Sequence, residues 1–257
     1  MKNMFTEAIV RVPGRNFAEG LTTVQLGVPR FELLLRQHAE YCAALRDCGL
    51  NVTTLEADLD YPDSTFVEDT AVVTSRGAVL ARPGAWSREG EVAAMRPILQ
   101  RFLPSLTEIE TPGTLDGGDI CEAGEHFFLG VSLRTNEEGA RQLTAYLAGF
   151  GFTSEVVDVR GIESILHLKS GVSYIGDNTL VVIEEMVGMF PGYERIVVAR
   201  EESYAANCVR VNDRVLVATG YPRLVGELRE RGFDPLALDM SEFQKMDGGL
   251  SCLSLRF

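Results

Sequence analysis

The sequence predicts an α/β protein made of five like units arranged around a common axis. Three observations predict it. Amphipathic helical stretches alternate with short apolar strands along all 257 residues, the pattern of mixed helix and sheet layers. Glycine turns recur, at Gly49, Gly151, Gly192 and Gly232. From the last three of these to polar motifs at His167, Asn207 and Asp247 the chain runs 16, 15 and 15 residues. Like units place equivalent residues at equivalent points of a fold. Closed into a ring, the units would bring Glu68/Asp69, Asp116/Asp119, His167, Asn207 and Asp247 together near the axis, where pockets form.

The first unit has a helix near Arg30 to Asp47, with Phe31, Leu34, Leu35, His38, Cys42 and Leu45 on one face at helical spacing. Gly49 ends it, Asn51 to Leu55 makes a strand, and Phe66-Val67-Glu68-Asp69 leads into the strand Ala71 to Thr74. The second helix spans Glu91 to Phe102, followed by a strand at Thr107 to Ile109, Leu115-Asp116-Gly117-Gly118-Asp119 and a strand through Cys121. The third helix, Asn136 to Phe150, leads to the strand Ser154 to Val159, the segment Leu166 to Gly171 and the strand Val172 to Ile175. The fourth unit is short: Glu184 to Phe190, strand Arg195 to Ala199, Asn207 and strand Val209 to Val211. The fifth has a helix at Pro222 to Arg231 and a strand at Pro235 to Leu238. Asp247-Gly248-Gly249 then introduces Leu250 to Leu255, which reads as a buried strand holding Cys252. No low-complexity segment or charged linker divides the chain, so residues 1–257 are expected to form one domain.

Composition narrows the function. The chain is 46% hydrophobic and 24% charged, ordinary for a soluble protein. A net charge of −13 argues against a nucleic-acid partner, whose phosphates demand clustered Lys and Arg. An acidic balance suits a cationic small substrate. The five cysteines, 42, 48, 121, 208 and 252, are scattered with no CxxC pair, which argues against a disulfide scaffold or a structural zinc site and fits a reducing compartment. Met1 to Val10 holds no apolar core of signal-peptide length and no run approaches a membrane span. A cytoplasmic protein is expected, with no membrane partner. No P-loop or dinucleotide glycine fingerprint is present, so no cofactor and no metal are expected.

Of the three histidines, His38 lies on the apolar helix face and His126 before Phe127-Phe128 reads as a hairpin position; only His167 sits in a unit's polar motif. Cys252 taken alone reads as a core cysteine. Arg88, in Gly84-Ala85-Trp86-Ser87-Arg88-Glu89-Gly90, reads as a solvated loop arginine.

Six motifs in order change that reading: Phe66-Val67-Glu68-Asp69, Leu115-Asp116-Gly117-Gly118-Asp119, Arg134-Thr135-Asn136, His167-Leu168-Lys169, Glu202-Ser203-Tyr204-Ala205-Ala206-Asn207-Cys208 and Asp247-Gly248-Gly249-Leu250-Ser251-Cys252. Together they resemble the dimethylarginine dimethylaminohydrolase family of guanidine-modifying enzymes over nearly the whole chain. The resemblance implies a five-bladed α/β propeller of ββαβ modules, the pentein fold. It implies hydrolysis of Nω-methylated arginine to citrulline and an amine, with Cys252 as nucleophile, His167 as acid and base, and Asp116 orienting the histidine. By the same resemblance Glu68 and Asp69 accept the guanidinium, Asp69 being the stronger candidate because adjacent strand residues face opposite sides. Arg88 and Arg134 would clamp the α-carboxylate, Asp63 the α-amino group with the carbonyls of Leu21 and Met246, and Phe66 would line the aliphatic stem. Asp119 is a supporting group, and Asn207 has no assigned role. The partner is a small molecule, and the family permits a monomer or a homodimer.

An arginine deiminase or amidinotransferase is the alternative enzyme, although the helical insertion usual in deiminases is absent from this sequence. A non-catalytic binding protein on the same ring has no reason to keep Cys252, His167 and Asp116 together. The loop Phe17 to Pro29, with Gly20 and Gly27, is a candidate lid.

Overall fold

The computed structural model describes residues 5–257, and among them five three-stranded sheets repeat one connection. Two strands pair antiparallel, a helix or turn follows, and a third strand returns parallel to the second. Blade 1 holds β1 (Glu7–Arg11), α1 (Phe31–Asp47) and β2 (Asn51–Leu55). Blade 2 holds β3 (Ala71–Thr74), β4 (Gly77–Leu80), α2 (Glu91–Leu99) and β5 (Leu106–Glu108). Blade 3 holds β6 (Ile120–Ala123), β7 (His126–Val131), α3 (Glu137–Gly149) and β8 (Thr153–Asp158). A short α4 (Leu168–Gly171) enters blade 4, made of β9 (Val172–Tyr174), β10 (Thr179–Ile183) and β11 (Glu194–Val198), where a 3-10 turn at Glu184–Met186 replaces the helix. Blade 5 holds β12 (Val209–Val211), β13 (Arg214–Ala218), α5 (Pro222–Glu230) and β14 (Asp234–Leu238). After α6 (Ser241–Gln244), the C-terminal β15 (Leu255–Arg256) returns to blade 1 and pairs antiparallel with β1, Ile9 opposite Leu255. The result is a five-bladed α/β propeller whose two chain ends share a blade.

The local chemistry explains the elements. Leu34, His38, Cys42 and Leu45 on α1 are buried as their spacing predicts, with Phe31 and Leu35 half-buried. Asn136 caps α3 by accepting the Gly139 amide at 2.8 Å. Gly49, Gly151, Gly192 and Gly232 all take left-handed backbone, φ between 84° and 92°, the conformation that lets a chain leave a helix or turn for a strand.

Three expectations are corrected. The middle strands β4, β7, β10 and β13 escape the reading of the repeat: their runs are short and sit a turn of two residues from their partners, or four for β10, so each hairpin passes for a single strand. The run Leu250 to Leu255 is not one strand, because Ser251–Leu253 forms a 3-10 turn with Cys252 at its centre and the strand itself is confined to Leu255–Arg256. Asp247 is not the fifth unit's equivalent of His167 and Asn207. Helix α6 is inserted before it, Asp247 takes a left-handed φ of 57°, and Ser251 fills the equivalent place.

That equivalence is visible in a belt of hydrogen bonds around the axis, each motif holding the next. Asp69 Oδ1 accepts from the Gly118 amide at 2.8 Å. Asp119 Oδ1 accepts from the Leu168 amide at 2.9 Å. The Lys169 carbonyl accepts from Asn207 Nδ2 at 3.0 Å, and Asn207 Oδ1 accepts from the Ser251 amide at 3.0 Å. Ser251 Oγ donates to Glu68 Oε2 at 2.7 Å, which returns the belt to blade 2. Every link joins neighbouring blades through buried groups. Asn207→Ala would strand the Ser251 amide and the Lys169 carbonyl in the interior and lower unfolding free energy by about 2–4 kcal/mol, measurable by urea denaturation at pH 7; a loss below half a kcal/mol would show the link to be idle.

Candidate active site

The belt positions a cavity of about 30 Å3, room for about two waters. It is lined by Leu21, Asp63, Phe66, Asp69, Arg88, Arg134, Leu166, His167, Met246, Asp247, Gly248 and Cys252. Blades 1 to 4 each send a motif to it.

His167 is buried, and its Nε2 lies 3.0 Å from Asp116 Oδ2. Asp116 is wholly buried and also accepts the Gly84 amide at 2.9 Å, with Arg134 3.9 Å away. Burial alone would push the His167 pKa down, but the charge of Asp69, the bond to Asp116 and the charge of Asp119 outweigh it and hold the ring up, to about 9. Asp69 moves the opposite way: despite burial, His167 and Arg88 keep it ionised well below the usual carboxylate range. Cys252 faces the same cavity and takes a 3.4 Å contact from the Gly249 amide. Burial first, then the carboxylates of Glu68 and Asp69, push its thiol up to about 12. A protonated imidazole and a protonated thiol therefore share the cavity at neutral pH.

Glycines make this geometry possible. A Cβ on Gly118 would lie 2.8 Å from His167 Nδ1 and 2.9 Å from Asp69 Oδ1. A Cβ on Gly249 would meet the Asn207 side chain at 2.4 Å, and one on Gly248 the Phe66 ring at 2.4 Å. Phe66 stacks edge-on with Phe17 and Phe243, with centroids 5.7 and 6.4 Å away, and so fixes one wall.

Two expected roles meet a different geometry. Glu68 does not reach this cavity. Val67–Thr70 is a 3-10 turn rather than a strand end, yet Glu68 and Asp69 still face opposite sides of the belt. Glu68 is bound by Lys169 at 2.7 Å, Arg256 at 3.2 Å and Ser251. Arg88 is no solvated loop residue. It is 4% exposed, paired with Asp69 at 2.6 Å and forked onto Glu91 at 3.0 and 2.8 Å, and its Nη2 also donates to the carbonyls of Asp63 and Phe66. Of its five hydrogens, one on Nη1 is left for a ligand.

The loop over the cavity is tied down along its length, with Thr22 and Val28 bonded to Lys245 at 3.1 and 3.3 Å. Leu21 donates its amide to Asp63 at 3.1 and 3.2 Å. Thr23 donates its hydroxyl to Asp247 at 3.0 Å, and the Arg30 amide bonds Glu242 at 2.7 Å. Met246 lies buried beneath. Sequence reasoning missed Asp247, Glu242 and Glu91 as tie points. Only Glu91, three residues after Arg88 and of opposite charge, left a trace. It also missed that Asp69, Asp116 and His167 carry ligand-capable atoms within 4.8 Å of one another. Both Asp69 oxygens are already taken, by Arg88 and the Gly118 amide, so the cluster is an ion network and not a ready cation site.

The profile of the arginine deiminase family matches residues 57–218. An N(G),N(G)-dimethylarginine dimethylaminohydrolase of Pseudomonas aeruginosa is 45% identical over 99% of this chain and all of its own length. The chain belongs to the dimethylarginine dimethylaminohydrolase family. A second relative so named, from Streptomyces coelicolor, is 35% identical over 97% of this chain and 96% of its own. Among solved structures, a cysteine-to-serine mutant of the Pseudomonas aeruginosa protein complexed with citrulline superposes with a TM-score of 0.96 at 44% identity, covering 99% of this chain and all of that one. The product-bound N-terminal domain of ArgZ, a cyanobacterial arginine dihydrolase, superposes at 0.88 with 19% identity over 99% of this chain and 97% of that domain, a likeness of fold alone.

Since His167 is held above its unfolded value of 6.5, the stability it contributes is full below pH 6.5 and is lost as pH rises through 9. The loss is ~3 kcal/mol at most. His167→Gln should flatten that alkaline slope in unfolding free energy measured at intervals from pH 6 to 9.5; an unchanged slope would show the imidazole to be neutral in the folded protein.

Proposed function

We propose that the protein hydrolyses Nω-methylated arginines, asymmetric dimethylarginine and monomethylarginine, to citrulline plus dimethylamine or methylamine through a covalent thiouronium on Cys252. The observation that carries this reading is the meeting in one cavity of a thiol, a carboxylate-bound imidazole and the buried Asp69, in a chain 45% identical along its length to a protein named for that reaction.

The groups divide the work. Asp69 faces the guanidinium, while Glu68, bound across the belt, takes no part in holding it. The guanidinium also activates the nucleophile. Next to a thiol pushed up to about 12, a cation within about 4–6 Å favours the thiolate, so substrate binding releases the thiol proton. The thiolate attacks the guanidinium carbon and the S–C bond forms. His167, already protonated, gives its proton to the departing nitrogen as the C–N bond breaks. Water then adds to the thiouronium carbon and yields a proton to the now neutral His167. As the carbonyl forms, the C–S bond breaks, the hydroxyl proton returns to the departing sulfur, and citrulline leaves. Asp116, on Nε2, keeps the ring oriented through both transfers and leaves Nδ1 to exchange the proton.

At the amino-acid end, Arg134 and the remaining Nη1 hydrogen of Arg88 meet the α-carboxylate. Asp63 with the Leu21 and Met246 carbonyls meets the α-amino group, and Phe66 lies along the stem. Arg88 also braces Asp69. The ties at Leu21, Thr22, Thr23 and Val28 make residues 17–29 a lid whose opening admits the amino acid.

Residues 1–257 act here as one catalytic domain on a free amino acid, as monomer or homodimer. Five free cysteines and the lack, among the described residues, of a helix able to cross a membrane support a cytoplasmic setting.

Citrulline release from asymmetric dimethylarginine and from arginine, side by side, tests the reading. Turnover of the methylated substrate is expected, abolished in Cys252→Ser and lowered 10²-fold or more in His167→Asn. Turnover of arginine alone would keep the chemistry and replace the substrate by that of a deiminase. Silence on both from folded protein would overturn the proposal.

A further inference from the structure

A second cavity, of about 450 Å3, runs along the propeller axis on the other side of the belt, with room for about thirty waters. Its wall is the first strand of every blade, including Val73, Cys121, Tyr174, Val209 and Leu255. Its outer end is edged by the hairpin turns at Gly124, Gly176 and Asp213, of which Gly124 and Asp213 are exposed.

The belt divides the two cavities by one thickness of chain. Glu68 lines the axial cavity and Asp69 the catalytic one; Ser251 lines the first and Cys252 the second; Lys169 lines the first and His167 the second. Side-chain links, Lys169 to Glu68 and Ser251 to Glu68, close the partition behind the nucleophile.

The reaction makes this partition matter. The amino-acid end of the substrate lies toward the accessible Leu21, 41% exposed, and the half-buried Arg134, while the guanidinium lies at the deep end with Cys252 and His167. Once the S–C bond has formed, the citrulline half lies between the sulfur and the lid. The amine has to leave, and a water has to arrive, at the deep end. The catalytic cavity holds about two waters and no store of its own.

We propose that the axial cavity is a back passage through which the released amine and the hydrolytic water exchange while the substrate's amino-acid end stays bound, with the Glu68–Lys169 pair as its inner gate. The proposal rests on the methylarginine reading. Its chemistry suits a small alkylammonium: Glu68 stands at the inner end, and Glu122 on β6 lines the lumen. Burial, partly offset by Lys169 and Arg256, raises that carboxyl to about 7. No bond is made or broken in the passage.

The test fills the lumen at the side chain with least to lose. Glu122→Trp places an indole in the passage and Glu122→Ala leaves it open; each is compared with wild type for melting temperature, citrulline affinity by calorimetry, kcat with dimethylarginine, and solvent deuterium isotope effect on kcat. Expected for Glu122→Trp is unchanged citrulline affinity, a kcat lowered tenfold or more, and an isotope effect drawn toward one because exchange, not proton transfer, now limits. Glu122→Ala is expected to stay within about twofold of wild type. If the indole prevents folding, Val73→Phe on β3 narrows the same lumen and carries the same expectation. Wild-type kcat in a folded, plugged variant would overturn the passage, as would an equal loss in Glu122→Ala. A wild-type protein without methylarginine turnover would instead sink the functional reading on which the passage rests.

Discussion

Everything in this protein hangs on the belt of buried hydrogen bonds that closes around its axis. Each blade alone is a three-stranded sheet with one helix or turn, too small to bury a core. The motif at the head of each first strand ties it to the next blade: carboxylate to amide, amide to carbonyl, hydroxyl to carboxylate. Such groups are costly to bury unpaired and cheap to bury paired. A ring missing one link therefore leaves several polar groups stranded at once. The same requirement explains the glycines at 117, 118 and 249, where a Cβ would strike backbone, an imidazole or an amide.

The belt also sets the electrostatics. It fixes Asp69, Asp116 and Asp119 around one imidazole, and Arg88, braced by Glu91, with Arg134 farther off, offsets them. Three carboxylates and a thiol near one point would repel an anion and leave the thiol protonated. The same field welcomes a delocalised cation. Selectivity for a guanidinium and activation of the nucleophile are thus one property, set by the backbone before any ligand contact is made.

How legible was this in the sequence? The five units, the helices and most strands followed from spacing, because apolar periodicity and the glycine turns are local signals. The hairpin partners β4, β7, β10 and β13 did not, since two short strands joined by a turn of two to four residues pass for one apolar run. The place of Asp247 was misjudged because α6, four residues long, shifts the register of the last unit. Cys252, His167 and Asp116 could be named only through the ordered motifs, and their convergence is a property of ring closure that no single segment carries. Glu68 shows the limit most clearly. Its neighbour Asp69 shares its sequence context, and only the path of the turn decides that one faces the thiol and the other Lys169.

One consequence of closing the ring with β15 concerns oxidation. The turn that holds Cys252 and the strand that pairs with β1 lie within six residues of each other. Before β15 docks, that thiol belongs to a loose tail and ionises like any exposed cysteine, open to peroxide and to mixed disulfides. Docking pushes it up to about 12, and oxidants, which attack the thiolate, lose their target. The step that completes the fold therefore also disarms the nucleophile, which stays chemically quiet until a cation arrives beside it.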